Sequence, residues 1–377
     1  MSTALLVVVD GVIYQAQARG GISRIYSEIL PRLCDLDDSL HITLLTEGKL
    51  QQTLPAHARI THLALPPIKR YLRPGRFWRP VVPRVRDFVL AQRVGRGVGE
   101  VWHSTYYTSP GAWRGPRVVT VYDMIHERLT DLFNRPGDSR FRADKRRCVQ
   151  QADAVICISE TTRQDVLHFH APDPSVLHVI PLGYSAIFRP LRPSDGDPAG
   201  VGGQPFLLYV GTRLPRYKFF DGLAQAYSQW LHQRDVSLVL VGPPWVAGEE
   251  RFLADLGVRE RVHLLASVDD ATLCRLYNQA LAFVYPSHYE GFGIPLLEAM
   301  ACGCPVVASR IPSTMEVAGE CPIYFEPGQV ESLRAALDFA FTEARDEARA
   351  QAGITQAQRY SWDRTARQTL QVYHALS

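Results

Sequence analysis

Residues Val284–Ser309, VYPSHYEGFGIPLLEAMACGCPVVAS, decide the fold of this chain. The apolar run Leu281–Tyr285 predicts a buried strand. A turn containing Gly291 and Gly293 follows it, and Pro295 suits the first turn of a helix rich in leucine and alanine. A second apolar run closes the stretch. This order of strand, turn, helix and strand is typical of a parallel α/β sheet.

The turn between the first strand and the helix favours an anion. At the carboxyl edge of a parallel sheet, a helix opening presents free amide groups and the positive end of its dipole. Glu290 precedes the turn and Glu298 lies one turn inside the helix, so both carboxylates can face the same pocket. Carboxylates accept hydrogen bonds from hydroxyl groups. Amides for a phosphate beside acceptors for a polyol predict a sugar-nucleotide site.

The spacing of these two glutamates carries a family resemblance. Glu290, seven residues and Glu298, within EGFGIPLLEAMACGCPVVAS, resemble the retaining glycosyltransferases of family 4, which have the GT-B fold. The resemblance implies that Glu290 meets the hydroxyls of the donor sugar and that Glu298 holds the ribose hydroxyls. It also implies that a run of loop amides meets sugar and phosphate: Gly291, Phe292, Gly293 and Ile294. The alternative is a solvated helix carboxylate and an ordinary glycine turn.

Length and composition limit the class of protein. The chain has 377 residues, enough for about two domains, and its 46% hydrophobic and 21% charged residues are typical of a soluble globular protein. Ala4–Val9 predicts a first strand and not a signal peptide, because Asp10 ends it and no basic residue precedes it. No apolar run approaches the roughly 18 residues of a spanning helix. Seven cysteines without zinc or redox spacing indicate reduced thiols in a cytoplasmic protein.

The net charge of +3 is unevenly distributed. Between Lys69 and Arg96 there are nine basic residues against the single acid Asp87, with aromatic side chains among them. Such a segment suits an anionic membrane surface, and it indicates peripheral association with the inner face of the plasma membrane. Its central residues are Lys69, Arg70, Arg73, Arg76, Phe77, Trp78 and Arg79. A solvated basic loop is the alternative; no nucleic-acid-binding motif accompanies the segment.

The first half repeats the strand, glycine and helix pattern. Leu5–Val9 is followed by Gly20 and Gly21, which precede apolar residues at helical spacing. In family 4 a glycine pair at this point lets the loop close over the donor phosphates, and Gly20 and Gly21 resemble that pair. An ordinary turn is the alternative reading.

The acceptor side departs from the family pattern. Asp123 ends the predicted strand Val118–Tyr122, and His126 follows shortly after. The family usually has His-Asp at this point, with the histidine facing the reacting centre, whereas this chain has Tyr122 and Asp123. Asp123, His126 or His103 could therefore face the acceptor hydroxyl. Alternatively, Asp123 caps the next segment and His126 lies on the surface. With Glu290, Asp123 and His126 are the catalytic candidates.

A basic loop begins the second half. The strand Phe206–Gly211 is followed by a loop with three cations ahead of a helix, an arrangement that suits a pyrophosphate. In the family an arginine and a lysine here neutralise the leaving diphosphate. Lys218 matches the lysine, while the arginine is either Arg213 or Arg216. The resemblance also implies that the segment around Val268 contacts the nucleotide base.

The resemblance implies the fold class α/β: GT-B, two Rossmann-like parallel-sheet domains facing a central cleft. Residues 1–189 form the acceptor-binding domain, onto which a last helix, 361–377, packs back, and residues 190–360 form the nucleotide-sugar domain. Pro190–Pro205 is the linker candidate because it is rich in proline, glycine and aspartate. Two Asp-x-Asp sequences lie in predicted loops and read as turns. No metal and no cofactor is expected, since the nucleotide sugar is a substrate.

The resemblance implies transfer of a hexose with retention at the anomeric carbon. No evident glycosyl nucleophile is present, so front-side displacement is expected, in which a donor phosphate oxygen takes the acceptor proton. GDP-mannose is the expected donor and a glycan or lipid-diphosphate-linked glycan the acceptor, in surface-polysaccharide synthesis. Three alternatives stay open: a UDP- or TDP-sugar-dependent transferase, a sugar-nucleotide epimerase of the same fold, and a non-catalytic sugar-nucleotide-binding protein.

Overall fold

The computed structural model describes residues 4–377 apart from 18–19, 67–87, 91, 95–96, 98–99, 192–203, 232–233 and 343–345. The chain divides into two units, Met1–Leu182 with Trp362–Ser377, and Gly183–Ser361. The first unit therefore contains both ends of the chain. The predicted basic membrane segment 69–79 and most of the predicted linker lie outside the described residues.

The first unit is built on a parallel sheet, whose strands pair in the order β3-β2-β1-β4-β5-β6-β7 among the described residues. The strands are β1 (Leu5–Asp10), β2 (Leu40–Glu47), β3 (Ile60–Leu65), β4 (Glu100–Ser104), β5 (Arg117–Val121), β6 (Ala154–Cys157) and β7 (Leu177–Val179). The strand order reverses between β1 and β4. Such a reversal is where open α/β sheets place functional residues.

Helices cover this sheet. They are α1 (Ile13–Ala16), α2 (Gly21–Leu36), α3 (Ile125–Arg128), α4 (Asp138–Gln150), α5 (Glu160–His170) and, from the far end of the chain, α13 (Trp362–Leu376). Ser159 caps α5 as its position predicts, because its side chain accepts a hydrogen bond from the amide of Thr162 at 2.9 Å. Helix α13 packs on α2.

The second unit has its own parallel sheet, with described strands in the order β10-β9-β8-β11-β12-β13. They are β8 (Phe206–Val210), β9 (Ser237–Gly242), β10 (Val262–Ala266), β11 (Ala282–Tyr285), β12 (Val306–Ser309) and β13 (Ile323–Phe325). Every residue of β11 and β12 is buried, as expected for strands covered on both faces. The order reverses between β8 and β11. Both sheets confirm the prediction of two Rossmann-like parallel α/β domains.

The helices of the second unit are α6 (Phe220–Trp230), α7 (Glu249–Asp255), α8 (Asp270–Gln279), α9 (Ile294–Ala301), α10 (Pro312–Ala318), α11 (Val330–Thr342) and α12 (Glu347–Ala357). Six consecutive residues of α9, from Leu296 to Ala301, are buried. A helix that is buried on all sides lies in the interior of its domain, and Glu298 is the charged residue among these six. Helix α9 contacts α8 and α12, which explains this burial.

Strand β3 and helices α7 and α8 were not predicted from the sequence. Helices α11 and α12 lie on either side of residues 343–345, which are outside the described part of the chain. In the described part of the chain, no helix has the length and apolar character to cross a membrane.

Candidate active site

The loops that follow β8 and β11 meet at the reversal of strand order in the second unit. The amide of His288, after β11, donates a hydrogen bond of 2.7 Å to the carbonyl of Tyr217, after β8. This backbone bond fixes the two loops side by side. The basic loop and the glutamate–glycine loop, whose residues Lys218 and Glu290 are 72 positions apart in the sequence, therefore form one site.

Lys218 and Glu290 form the polar centre of this site. Lys218 Nζ lies 2.6 Å from Glu290 Oε1, and the hydroxyl of Ser287 donates to the same oxygen at 2.5 Å. Both charged side chains are largely buried, with 17% and 14% of their surface exposed. Beneath them, burial and the charge of Glu290 raise the pKa of Tyr285 well above its ordinary value, so its hydroxyl stays protonated. A cation and a carboxylate are thus held in contact at the carboxyl edge of the sheet.

The glycine turn delivers the chain into α9. Gly293 has φ of +115°, which side chains other than glycine rarely adopt, and a Cβ at this position would lie 2.9 Å from Leu296 Cδ1. Helix α9 begins at Ile294, directly after this residue. Gly291, Phe292 and Gly293 are buried. The amides of the first turn and the helix dipole therefore favour an anion at this point, as the sequence predicted.

Glu298 lies one turn into α9 and is 3% exposed. The hydroxyl of Tyr277, from α8, donates to Glu298 Oε2 at 3.4 Å. A buried carboxylate requires hydrogen-bond donors, and its position under the loops is not that of a solvated helix side chain. The alternative of a solvated carboxylate is therefore wrong.

The two candidate arginines have different surroundings. Arg213 is 3% exposed; its guanidinium bonds to both oxygens of Glu249 at 2.9 Å and to the carbonyls of Pro243 and Pro244. These bonds hold the loop after β9 in place and engage the guanidinium group of Arg213. Arg216 shares a 3₁₀ turn with Lys218, has a side chain 81% exposed and lies 4.0 Å from Asp221. Arg213 is thus engaged with Glu249 while Arg216 is exposed, and which of the two arginines neutralises the diphosphate stays a prediction.

Val268 follows β10, one residue after Ser267, whose φ is +64°. Its side chain is partly exposed at the carboxyl edge of the second sheet. Gly20 and Gly21 lie in the first unit, where Gly20 precedes α2 and Gly21 begins it. Ser23 returns a hydrogen bond of 3.0 Å to the carbonyl of Gly20, which closes the first turn of the helix.

His103 is a core residue of the first unit. It is fully buried; its Nδ1 lies 2.5 Å from the hydroxyl of Tyr373 and its Nε2 lies 2.9 Å from that of Thr120. Burial lowers the pKa of His103 to about 3, so the ring is neutral. The expectation that His103 faces an acceptor is corrected, because both ring nitrogens are engaged in the interior.

Tyr122, which replaces the family histidine, also points into the core. Its hydroxyl lies 2.7 Å from the carbonyl of Thr105 and 2.8 Å from the hydroxyl of Tyr26, and the side chain is 5% exposed. Burial raises the pKa of Tyr122 well above its ordinary value. The acceptor-side role expected for Tyr122 is therefore corrected to a structural one.

Asp123 lies in the loop that joins β5 to α3, and His126 lies within α3. Asp123 is partly exposed, and its Oδ1 accepts a hydrogen bond of 3.1 Å from the amide of Ile125, as the capping alternative predicted. The ring of His126 packs between Phe133 and Phe141, with centroid distances of 4.3 and 4.5 Å. Burial, with the nearby charge of Lys145, lowers the pKa of His126. His126 and Asp123 are both partly exposed, so the acid/base role of either residue stays a prediction.

Sequence reasoning missed Ser287 and Tyr277 in the second unit and, separately, Lys145 in the first unit. Ser287 stands between a strand end and Glu290, and this position was a sufficient signal. Tyr277 lies in a helix that was not predicted, and Lys145 reads as one more cation of a charged helix. In the described ranges, no group of three or more histidine, cysteine, aspartate or glutamate side chains is placed to hold a metal ion.

Two family models match the chain. The model described as Glycosyl transferases group 1 matches residues 196–358, which is most of the second unit. The model described as Glycosyltransferase Family 4 matches residues 19–186, which is most of the first. Together they extend over nearly the whole sequence.

Curated relatives include two mannosyltransferases. O-antigen chain mannosyltransferase B of Escherichia coli is 29% identical over 300 residues, which are 77% of this chain and 73% of that protein. MMP alpha-(1->4)-mannosyltransferase of Mycolicibacterium hassiacum is 32% identical over 236 residues, which are 61% of this chain and 56% of that protein. The chain thus spans about three quarters of the first relative and little more than half of the second.

Solved structures share the fold. Sucrose-phosphate synthase from Thermosynechococcus elongatus superposes with a TM-score of 0.80 at 19% identity, over 99% of both chains. HepE from Anabaena, in complex with UDP-glucose, gives 0.71 at 18% identity, over 99% of this chain and 100% of that one. At these identities the similarity concerns the fold alone.

The different surroundings of the two arginines predict different effects on stability. Arg213→Ala should lower the free energy of unfolding by about 3–5 kcal/mol, because it leaves Glu249 buried without its charged partner. Arg216→Ala should change it by less than about 0.5 kcal/mol, because the side chain is exposed. Urea denaturation of the two variants checks this. Equal effects would show that the surroundings described for Arg213 are wrong.

Proposed function

The chain belongs to family 4 of the glycosyltransferases, and we propose that it transfers a hexose from a nucleoside diphosphate sugar to a hydroxyl group of a glycan. The observation that carries the proposal is the contact of Lys218 with Glu290 beside the buried Glu298. The cation and the amides at the start of the helix suit a diphosphate, and the two carboxylates suit the hydroxyls of a hexose and a ribose.

The diphosphate is bound by charge and by amides. Lys218 supplies a point charge, Arg216 a fork that can bond two oxygens, and the first turn of α9 supplies amides. Each charge-assisted hydrogen bond is worth about 1.5–3 kcal/mol. These groups also stabilise the charge that develops on the diphosphate as it leaves, which is where electrostatic catalysis acts.

The two carboxylates hold hydroxyl groups. Glu290, at the end of the glycine loop, accepts from the hexose, and Glu298, one turn deeper, accepts from the ribose. Main-chain groups at Gly291–Ile294 bond to sugar and phosphate, and the segment at Val268 contacts the base. Each contact fixes the orientation of the anomeric carbon relative to the incoming hydroxyl, which lowers the entropic part of the barrier.

The stereochemical outcome is retention by front-side displacement. A donor phosphate oxygen accepts the proton of the acceptor hydroxyl while the bond from the anomeric carbon to the diphosphate breaks and the new glycosidic bond forms. Tyr122 and His103 are committed to the core of the first unit, which supports a mechanism without a histidine base. Asp123 orients the acceptor hydroxyl.

Mannose from GDP-mannose is the proposed sugar, and a glycan or a lipid-diphosphate-linked glycan of a surface polysaccharide is the proposed acceptor. The names of the curated relatives support this choice, since both of those described above are mannosyltransferases. The basic and aromatic composition of residues 69–79 supports an acceptor at an anionic membrane surface.

Nucleotide selectivity and product analysis test the function. Incubation with GDP-mannose and octyl α-mannoside should yield GDP and an α-linked disaccharide, with turnover unchanged in a chelator. Thermal shifts with GDP, UDP, TDP and ADP should be largest for GDP. Binding without release of a nucleoside diphosphate would identify a non-catalytic binding protein. Release of a nucleoside diphosphate together with an altered free sugar would identify an epimerase. A larger thermal shift with UDP or TDP than with GDP would show that the donor is a UDP-sugar or a TDP-sugar.

The ribose role of Glu298 is tested by removing either partner. Glu298→Ala should weaken GDP binding by about 10-fold or more, because a hydrogen bond to a charged group is worth about 1.5–3 kcal/mol. The same variant should bind 2′,3′-dideoxy-GDP as the parent does, since that ligand lacks both hydroxyls. Glu331→Ala, an exposed carboxylate on α11, is the matched control. Calorimetric titration that finds equal losses for both ligands would contradict the assignment.

Membrane association is tested with vesicles of phosphatidylcholine and phosphatidylglycerol. Replacing Arg70, Arg73, Arg76 and Arg79 by serine should reduce co-sedimentation, because each cation near an anionic surface contributes about 1 kcal/mol. Arg140→Ser with Arg251→Ser, at exposed positions elsewhere, is the control and should have a smaller effect. Unchanged sedimentation of the fourfold variant would reduce the segment to a solvated surface.

A further inference from the structure

Lys145 is a fully buried cation in the first unit. It lies on α4, and its side chain has no exposed surface. Its Nζ is 5.3 Å from the centroid of the Tyr107 ring and 5.2 Å from that of Phe141. A buried lysine is rare because removing an ammonium group from water is costly, so its contacts carry information.

The contacts of Lys145 converge on residues 123–128, a segment that contains Asp123 and helix α3 and is called the loop 123–128 below. Its Nζ donates to the main-chain carbonyl of Asp123 at 3.1 Å and to Glu127 Oε2 at 2.9 Å. Arg142, one turn earlier on α4, donates to the carbonyl of His126 at 3.3 Å. Helix α4 therefore holds the loop 123–128 at Asp123, His126 and Glu127.

A second contact holds the far end of the same loop. Arg128 Nε lies 3.0 Å from each carboxylate oxygen of Asp165, on α5, and the Asp165 side chain is 2% exposed. Two neighbouring helices thus fix residues 123–128 by ionic and main-chain bonds. Planar arginine–carboxylate pairs of this kind restrict orientation as well as distance.

Stability alone is a poor explanation for the buried pair of Lys145 and Glu127. The cost of removing both charges from water offsets most of their attraction, and apolar residues of similar volume often stabilise a protein as well or better. The pair has an effect that an apolar contact cannot have. Lys145 Nζ binds both the main-chain carbonyl of Asp123 and the carboxylate of Glu127, so it restricts the position of the segment between them.

We propose that Lys145 is a positioning residue for glycosyl transfer, which fixes the loop 123–128 so that Asp123 meets the acceptor hydroxyl. The inference rests on the proposed function and concerns the first unit, to which that proposal assigns the acceptor. Lys145 touches neither substrate; it acts through the main chain of Asp123 and through Glu127. Donor binding, which depends on the second unit, is independent of it.

Three variants separate positioning from stability. Lys145→Met leaves Glu127 buried without its partner, whereas Lys145→Met with Glu127→Leu replaces the pair by apolar side chains. Arg147→Met, on the same helix with a side chain 52% exposed, is the matched control. The measurements are urea denaturation, GDP affinity, the rate of transfer from GDP-mannose to octyl α-mannoside, and amide hydrogen exchange across residues 122–128.

The double variant decides the question. It should recover the stability that Lys145→Met loses and bind GDP as the parent does. Its loop amides should nevertheless exchange faster, and transfer should stay roughly 100-fold slower, because a displacement near 1 Å can have that effect. The Arg147 variant should match the parent throughout.

A double variant that is stable and transfers at the parental rate, or whose loop amides exchange as slowly as those of the parent, would overturn the inference. Failure of the parent protein to transfer any sugar is a separate result. It would refute the proposed function, while the exchange measurement would still decide whether Lys145 fixes the loop.

Discussion

The contact between Lys218 and Glu290 depends on the strand order of the second sheet. At the reversal between β8 and β11, two loops that leave neighbouring parallel strands lie side by side, and the hydrogen bond from His288 to Tyr217 fixes their spacing. Helix α9 then starts where its amides face the same place, because Gly293 adopts a conformation that turns the chain into the helix. The binding groups therefore come from backbone topology first and from side chains second.

The contact of Lys218 with Glu290 has a consequence for selectivity under the roles proposed for them. A nucleoside diphosphate would attract Lys218 through its phosphates but would offer Glu290 no sugar hydroxyl. A complete sugar nucleotide would offer both, so that each partner exchanges one hydrogen bond for another. Because unpaired buried charges are costly, the proposed roles predict that the site prefers the complete donor to its nucleoside diphosphate product.

The sequence was sufficient for the architecture and for the groups that follow from the local motif. The glycine turn, the start of α9 and the location of Glu290 and Glu298 depend on short-range spacing, which a sequence displays. The burial of Arg213 does not depend on short-range spacing, because its guanidinium is held by Glu249 and by two carbonyls from the loop after β9. The same holds for His103, whose partner Tyr373 is 270 residues away. A side chain's availability is a property of long-range packing, and spacing along the chain does not encode it directly.

In the first unit, several polar residues at the ends of the strands are buried and hydrogen-bonded to one another or to the main chain, while others stay partly exposed. The hydroxyls of Thr105 and Thr108, which follow β4, both donate hydrogen bonds to the carboxylate of Asp10 at the end of β1, and burial raises the pKa of Asp10. Tyr122 joins the neighbouring network of Tyr26, where the family histidine would stand. With these groups satisfied internally, Asp123 is the partly exposed carboxylate left at the end of β5. Under the proposed function, Asp123 orients the acceptor hydroxyl and a donor phosphate oxygen takes its proton. The proposed mechanism assigns the proton to the donor and not to a histidine of the protein, since the residue before Asp123 is a tyrosine engaged in the core.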